Sequence, residues 1–190
     1  GTISVGQDIS ERKQVQNELL HEKEKLKHQA HHDALTGLPN RALLHEKLIE
    51  SMKRAQRHDT KVALLFIDLD HFKEINDSLG HDVGDEVLKQ VAYKLKNIVR
   101  KEDSISRLGG DEFTITLEDL KQGQDASLLA QKIINLLSEP IIFKEHKLYV
   151  SSSIGVSVYP DDGDSSLDLL KYADSAMYKT KDQGGNGYSY

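Results

Sequence analysis

Apolar and polar positions repeat with two periods along the chain, and these periods predict its helices and strands. Helical periodicity predicts helices at about residues 11–30, 40–57, 71–79, 82–100 and 125–138, and a last one from Ser165 to about Lys181. Alternating or continuously apolar segments predict strands at 61–70, near 104–108, at 112–118 and at 147–160, and a short edge strand in the closing "NGYSY".

The order of these elements predicts the fold class. Residues 61–70, "KVALLFIDLD", are apolar at odd and even positions alike until Asp68, which is typical of a central strand covered on both faces. Helices separate most strands, and one tight hairpin joins two of them. We therefore expect an α+β fold with helices packed against a mixed sheet.

The first ten residues follow a pattern of their own. Ile3 and Val5 alternate as in a strand, and Ser10 is a good N-cap for the helix that follows. A strand without a partner nearby suggests that residues 1–10 are the end of another domain.

The helix at 11–30 has a weak apolar stripe of Val15, Leu19 and Leu26, which Glu22 interrupts. A coiled-coil seam and a solvated helical linker are both compatible with this stripe. The main domain is expected to begin at about residue 31.

Composition and charge exclude several classes of function. The chain of 190 residues has the size of one domain, and its net charge of −6 argues against non-specific nucleic-acid binding. It has no cysteine, which excludes disulfides, zinc-thiolate sites and thiol catalysis. Its longest apolar run, "VALLFI", is far shorter than the ~20 residues that span a bilayer.

The segment "RLGGDEF" at 107–113 carries the most informative chemistry. Gly109 and Gly110 lie between two strand patterns and predict a two-residue hairpin, because both tolerate positive φ. Taken alone, the acids that follow are also compatible with a surface turn that keeps an edge soluble. If the hairpin pairs with strand 61–70, however, Asp68, Asp111 and Glu112 converge. Three carboxylates without cysteine or clustered histidine suit Mg²⁺ or Mn²⁺, two of which can bridge a triphosphate.

The helical segment after Asp68 offers groups that suit a nucleotide. Lys73 is placed to face phosphate, while Asn76 and Asp85 offer the amide and carboxylate that read a guanine edge. His81 lies in the same segment. A solvated helical face is the alternative interpretation.

Three segments together resemble the GGDEF-domain diguanylate cyclases: "HDALTGLPNR" (32–41), "FIDLDHFKEINDSLGHDVGDEVL" (66–88) and "RLGGDEF" (107–113). The resemblance extends over residues 31–190. It implies a fold related to the nucleotidyl-cyclase palm and a reaction that condenses two GTP into cyclic di-GMP with release of two pyrophosphates. It also implies that two protomers face each other, so residues 11–30 would pair the two copies.

The resemblance also assigns roles at the metal centre. It implies that Asp68 and Asp111 hold magnesium (or manganese) with help from the Leu69 carbonyl, and that Glu112 supports a second ion. Asp111 would also accept the proton of the 3′-hydroxyl. Lys73 would stabilise charge on the phosphates.

Other matched positions would hold the nucleotide or the product. Those that bind substrate are Asn76, His81, Asp85, Gly109, Gly110 and Lys181. In "RKED", Arg100 and Asp103 form an R-x-x-D at the offset of the family's inhibitory product site, although one helical i,i+3 ion pair would also explain them.

Two further features bear on the whole protein. The segment "VGQDISERK" (5–13) resembles the final strand and exit motif of a PAS sensor domain, so residues 1–10 are expected to be the remnant of such a domain, with the sensor upstream. Gly185 stands where many members have arginine, which removes a cation from the triphosphate and resembles members with a phosphodiesterase (EAL) domain downstream. We expect a cytoplasmic domain of a protein that is either free or membrane-tethered.

Three alternatives to an active cyclase remain at this point. The first is a weak or inactive module that binds GTP or cyclic di-GMP within a larger GGDEF-EAL protein. The second is a scaffold that only dimerises through residues 11–30. The third is a different nucleotide cyclase, which the guanine-reading pair Asn76 and Asp85 argues against.

Overall fold

The computed structural model describes the backbone of residues 3–190 and the side chains from residue 12 onward. Its helices are α1 (Ile3–His31), α2 (Arg41–His58), α3 (Phe72–Leu79), α4 (His81–Ile98), α5 (Asp125–Leu137) and α6 (Ser166–Asp182). Its strands are β1 (Lys61–Asp70), β2 (Ser104–Gly109), β3 (Glu112–Leu120), β4 (Ile141–Phe143), β5 (His146–Leu148), β6 (Ser151–Tyr159) and β7 (Gly187–Ser189).

Five strands form a mixed sheet in the order β2-β3-β1-β6-β7, with β1 at its centre. Strand β1 is antiparallel to both β3 and β6, β2 is antiparallel to β3, and the edge strand β7 is parallel to β6. Helices flank the sheet, so the predicted α+β class with a mixed sheet and a closing edge strand is confirmed.

Both faces of β1 are buried, as its unbroken apolar pattern predicts. Ala63, Leu65 and Ile67 point into a core shared with α4 and α5. Leu64 and Phe66 point the opposite way, into a second core built with α2 and α6. Because successive side chains of a strand alternate between faces, one continuous apolar run serves both layers.

The N-terminal part differs from the prediction. Helix α1 already begins at Ile3, so the expected strand at Ile3 and Val5 and the helix start at Ser10 are wrong. A strand needs a hydrogen-bonding neighbour, and among the described residues none pairs with this segment. The boundaries of the expected PAS remnant stay a prediction, and its residues 1 and 2 lie outside the described part.

The segment 141–160 also differs from the prediction, which placed one long strand at 147–160. Two short strands, β4 and β5, pair with each other, and the sheet strand β6 starts only at Ser151. The alternating pattern indicated the extended conformation correctly. It carried no information about which partner each half would pair with.

No helix within residues 3–190 combines the length and the apolar character needed to cross a membrane.

We expect Gly155→Ala to destabilise the protein by about 1–3 kcal/mol or more, because helix α6 lies directly on this residue. A Cβ at Gly155 would overlap the backbone of Ala173 and Met177. The matched control is Gly187→Ala, also in a strand, where a Cβ would make an ordinary contact with Thr180 at 3.6 Å. Urea unfolding of both variants checks this, and equal losses of stability would contradict it.

Candidate functional site

The centre of the site is the carboxyl end of β1, where Asp68 lies buried between two neighbouring strands. In the sheet register Asp68 is opposite Glu112 on β3 and Ser153 on β6. Its side chain is only 9% exposed. The sheet therefore brings the acids of two distant segments side by side, as the sequence predicted.

The hairpin between β2 and β3 has a different register from the predicted one. Gly109 pairs with Glu112, so the two turn residues are Gly110 and Asp111 rather than Gly109 and Gly110. Both glycines have positive φ, 142° and 49°, which residues with a side chain rarely adopt. The shift puts Asp111 at the tip of the turn. The backbone N–H of Leu69 donates to the Asp111 carbonyl across 3.4 Å, which ties the turn to β1.

Burial and neighbouring charges determine the electrostatics of Asp68. Burial, together with the carboxylates of Asp111 and Glu112, raises the pKa of Asp68 to about 6, although Lys181 opposes the increase. The Lys181 Nζ lies 2.7 Å from Asp68 Oδ1. Apart from this ion pair, the buried Oδ1 has no hydrogen-bonding partner among the described residues.

Glu112 lies at the rim of the same site. Burial raises its pKa, and nearby Arg41 opposes this increase. The closest approach of the two side chains is 3.8 Å, from Arg41 Nη2 to Glu112 Oε2. Asp174 on α6 adds a further negative charge close to Glu112.

The donor chemistry of the site fits a hard divalent cation. Asp68 has a buried oxygen that lacks a hydrogen bond, and the carboxylates of Asp111 and Glu112 are close enough to repel its charge. A cation would relieve this repulsion. Among the side chains that the structure describes, from residue 12 onward, however, no three acids or histidines are already arranged as a metal-binding cluster. The predicted convergence is therefore one of neighbouring charges rather than of a preformed ligand shell.

Helices α3 and α4 carry the predicted nucleotide-binding residues along an open surface. Lys73, His81 and Asp85 are exposed, and Asn76 is half-buried. The side chain of Asn76 lies directly over Gly84, where any Cβ would overlap its amide oxygen. Glycine at this position thus lets the Asn76 side chain lie directly against helix α4.

The R-x-x-D segment forms a turn rather than a turn of helix, because α4 ends at Ile98. The Asp103 carboxylate accepts hydrogen bonds from the backbone N–H of Arg100 and of Glu118, both at 3.2 Å. The simple alternative of one helical ion pair is therefore wrong. Arg100 and Asp103 border a surface cavity of about 500 Å³.

Asp70 is a residue of the site to which the sequence analysis assigned no role. Its carboxylate accepts hydrogen bonds from Ser151 Oγ at 2.7 Å, from Ser153 Oγ at 2.6 Å and from the backbone N–H of Asn186 at 3.0 Å. The bond from Asn186 ties the turn that follows α6 to β1, and the two serines of β6 hold the Asp70 carboxylate in place. The second Asp of "DLD" was the available signal, but its partners lie more than 80 residues away.

The same turn explains where a side chain at position 185 would point. Gly185 has φ +71°, and a Cβ there would lie 3.0 Å from Asp70 Oδ2. A cationic side chain at position 185 would therefore leave the backbone beside the Asp70 carboxylate.

Comparisons with known proteins agree with this geometry. The family model described as "Diguanylate cyclase, GGDEF domain" matches residues 30–187. The chain is 45% identical to the bifunctional diguanylate cyclase/cyclic di-GMP phosphodiesterase MucR of Pseudomonas aeruginosa over 84% of its own length and 23% of that protein. It is 43% identical to the diguanylate cyclase TpbB of the same species over 92% of its length and 40% of TpbB. The chain thus spans well under half of these relatives.

A solved structure supports the fold as well. The crystal structure of the GGDEF domain of TpbB (YfiN) from P. aeruginosa superposes with a TM-score of 0.79 at 41% identity, covering 81% of this chain and 96% of that one.

Lowering the pH from about 7.5 to about 5 is expected to stabilise the metal-free protein relative to its Asp68→Asn variant. The pKa of Asp68 is about 6 in the folded protein and near the ordinary 3.8 in the unfolded chain. The folded state therefore binds the proton first as the pH falls, and the destabilisation present above pH ~6 disappears towards pH ~4. Melting temperatures of both proteins in a chelating buffer check this. A difference that does not change with pH would contradict it.

Proposed function

Because the chain belongs to the GGDEF-domain diguanylate cyclases, we propose that it condenses two GTP molecules into cyclic di-GMP and releases two pyrophosphates. The observation that carries this proposal is the buried Asp68 beside Glu112 and the Gly110–Asp111 turn, with the Lys181 ammonium 2.7 Å from Asp68. Acids and a lysine gathered at a strand end suit phosphoryl transfer, which depends mainly on positioning and on electrostatic stabilisation.

Two divalent cations, Mg²⁺ or Mn²⁺, are part of the proposal. Asp68 and Asp111 would hold the first with the Leu69 carbonyl, and Glu112 would support the second. Bound there, the ions would neutralise phosphate charge and favour ionisation of the attacking hydroxyl.

The chain's own residues would carry the remaining steps. The 3′-oxygen of one GTP bonds to the α-phosphorus of the other, the bond from that phosphorus to the pyrophosphate breaks, and Asp111 accepts the hydroxyl proton. Lys181 already lies in the site and would turn to the phosphates. Lys73, on the exposed face of α3, would stabilise the negative charge on the phosphates.

Recognition of guanine is assigned to the surface of α3 and α4. Asn76 and Asp85 would bind the base edge, and His81 would contact the guanosine end. The position of Asn76 against Gly84, between α3 and α4, is compatible with this role. Gly109 and Gly110 would leave room for the phosphates, since the space beside each is open: a Cβ added at either position would meet no atom within 4 Å.

The proposed reaction needs two copies of the chain, each holding one GTP. Helix α1 is the element proposed to pair them. Val15, Leu19 and Leu26 are between 59% and 69% exposed on it, which is unfavourable for apolar side chains unless they are covered. Parallel pairing of two such helices would bury this stripe.

Cyclic di-GMP is proposed to inhibit the enzyme at Arg100 and Asp103. The Arg100 side chain is exposed beside the cavity, and the backbone bonds of Asp103 hold its carboxylate at the cavity wall. An arginine fork and a carboxylate together complement the edges of guanine.

A second candidate function is a weak or inactive module that binds GTP or cyclic di-GMP within a larger protein. Gly185 favours this second function. Glycine has no side chain, so position 185 supplies no cation for the triphosphate from its place beside Asp70.

Incubation of the chain with GTP and Mg²⁺ is expected to yield cyclic di-GMP, and Asp111→Ala is expected to abolish it, because both the proton acceptor and a metal ligand are lost. Asp164→Ala is the matched control, an exposed acid outside the site. Chromatography of the products checks the result, and ATP tested in parallel should not react.

Three outcomes would contradict the cyclase proposal. Product from Asp111→Ala at the parent's rate would remove the acids from the mechanism, and equal consumption of ATP would indicate a different cyclase. No product from a chain shown to be dimeric would favour the binding module.

Arg100→Ala is expected to weaken cyclic di-GMP binding by about 10-fold or more, since a charge-assisted contact is lost. Calorimetry with cyclic di-GMP in the absence of GTP measures this. Lys101→Ala is the control, because Lys101 is an exposed cation next to Arg100 and does not line the cavity. Equal affinities for the parent and Arg100→Ala would contradict the product site.

A further inference from the structure

A buried arginine supports the turn that carries Asp111. Arg107 lies in β2, and its side chain is 9% exposed. Its Nη2 and Nε donate to the carbonyl oxygen of Gly110 at 2.7 and 3.1 Å. Since Gly110 and Asp111 are the two turn residues, this guanidinium holds the peptide group that joins them.

The opposite side of the same guanidinium binds Asp33. Arg107 Nη1 lies 2.8 and 2.9 Å from the two carboxylate oxygens of Asp33. Thr36 donates to Asp33 from both its backbone N–H and its hydroxyl, at 2.9 and 2.6 Å. These bonds lower the pKa of Asp33, although burial opposes them, so the carboxylate stays charged beside Arg107.

Asp33 belongs to a loop that is fixed to the end of helix α1. Asn40 at the far side of this loop donates from its backbone N–H to His31 O at 2.9 Å and from its side chain to Ala30 O at 2.8 Å. The backbone N–H of Arg107 donates to Pro39 O at 2.9 Å. The last turn of α1, the loop and β2 are therefore joined by directed hydrogen bonds.

The energetics make this connection specific. A buried guanidinium is stable only when its donors are paired, and here the bonds to Asp33 and Gly110 share one rigid planar group. A displacement of Asp33 would turn the guanidinium and with it the Gly110 carbonyl. Lysine has one ammonium and cannot reproduce both sets of bonds.

We infer that Arg107 and Asp33 form a positioning pair that sets the Gly110–Asp111 turn and couples it to the end of α1. The inference rests on the proposed cyclase function for its effect on rate. Neither residue contacts the reacting atoms; the pair acts through the position of Asp111. The pairing helix would thereby influence the geometry of the turn in its own protomer.

Arg107→Lys and Arg54→Lys form a matched comparison. Arg54 on α2 also binds a carboxylate with two nitrogens, at 2.6 to 3.1 Å from Glu118, but it contacts no part of the hairpin turn. Arg107→Lys is expected to lower kcat by about 10- to 100-fold with KM changed by less than about threefold, because the acid is misplaced rather than lost. Arg54→Lys is expected to retain the parent's kcat even where its melting temperature falls.

A second measurement, which does not depend on enzyme turnover, tests the positioning pair even if the cyclase proposal fails. The Leu69 N–H reports the turn directly, because it donates to Asp111 O at 3.4 Å. Hydrogen exchange at Leu69, measured by NMR on the full chain, should accelerate in Arg107→Lys and not in Arg54→Lys. This comparison holds even if the parent yields no cyclic di-GMP.

Asp33→Asn provides the second variant in case Arg107→Lys does not fold. It retains the guanidinium and its bonds to Gly110, so a smaller change of the same kind is expected in kcat and in Leu69 exchange. Unchanged kcat and unchanged Leu69 exchange in folded Arg107→Lys or Asp33→Asn would overturn the proposal. Equal changes in Arg54→Lys would also overturn it, since they would reflect general destabilisation.

Discussion

The burial of an ionisable carboxylate, Asp68, at the end of the central strand is the physical constraint that shapes this end of the sheet. Removing a carboxylate from water is costly, and the raised pKa of Asp68 reflects that cost. The Lys181 ammonium offsets part of it, while Asp111 and Glu112 add to it. A buried carboxylate of this kind lowers the stability of the folded protein, so its presence indicates that a charge is needed at this position for function. Asp68 is therefore the centre of the proposed site.

Close packing of α6 on the sheet is what brings Lys181 to Asp68. Gly155 in β6 allows the helix backbone to approach directly, and the hydrogen bond from Asn186 to Asp70 ties the turn after the helix to β1. Two neighbouring acids on β1 thus have different tasks. Asp68 is left without a hydrogen bond at Oδ1, whereas Asp70 is satisfied by two hydroxyls and a backbone N–H.

The opposite side of the site is built by a second set of contacts, from the end of α1 through Asp33 and Arg107 to Gly110. The turn therefore has supports from two directions, since the Leu69 N–H also holds it from β1. An acid on a two-residue turn would otherwise be mobile, and the role proposed for Asp111 needs a defined position. Rigid support of this kind is what a reaction that relies on positioning needs.

The sequence by itself determined the helices of the main domain, the strands of the mixed sheet apart from the start of β6, and the family, because periodicity reports local conformation and burial while motifs preserve residue types. It also indicated that acids at 68 and 111–112 would meet. Only the tertiary structure decided the register of the turn, the separate β4–β5 pair, the backbone bonds of Asp103 and the partners of Asp70 and Arg107. These features depend on distances between segments far apart in the chain, which no local pattern encodes.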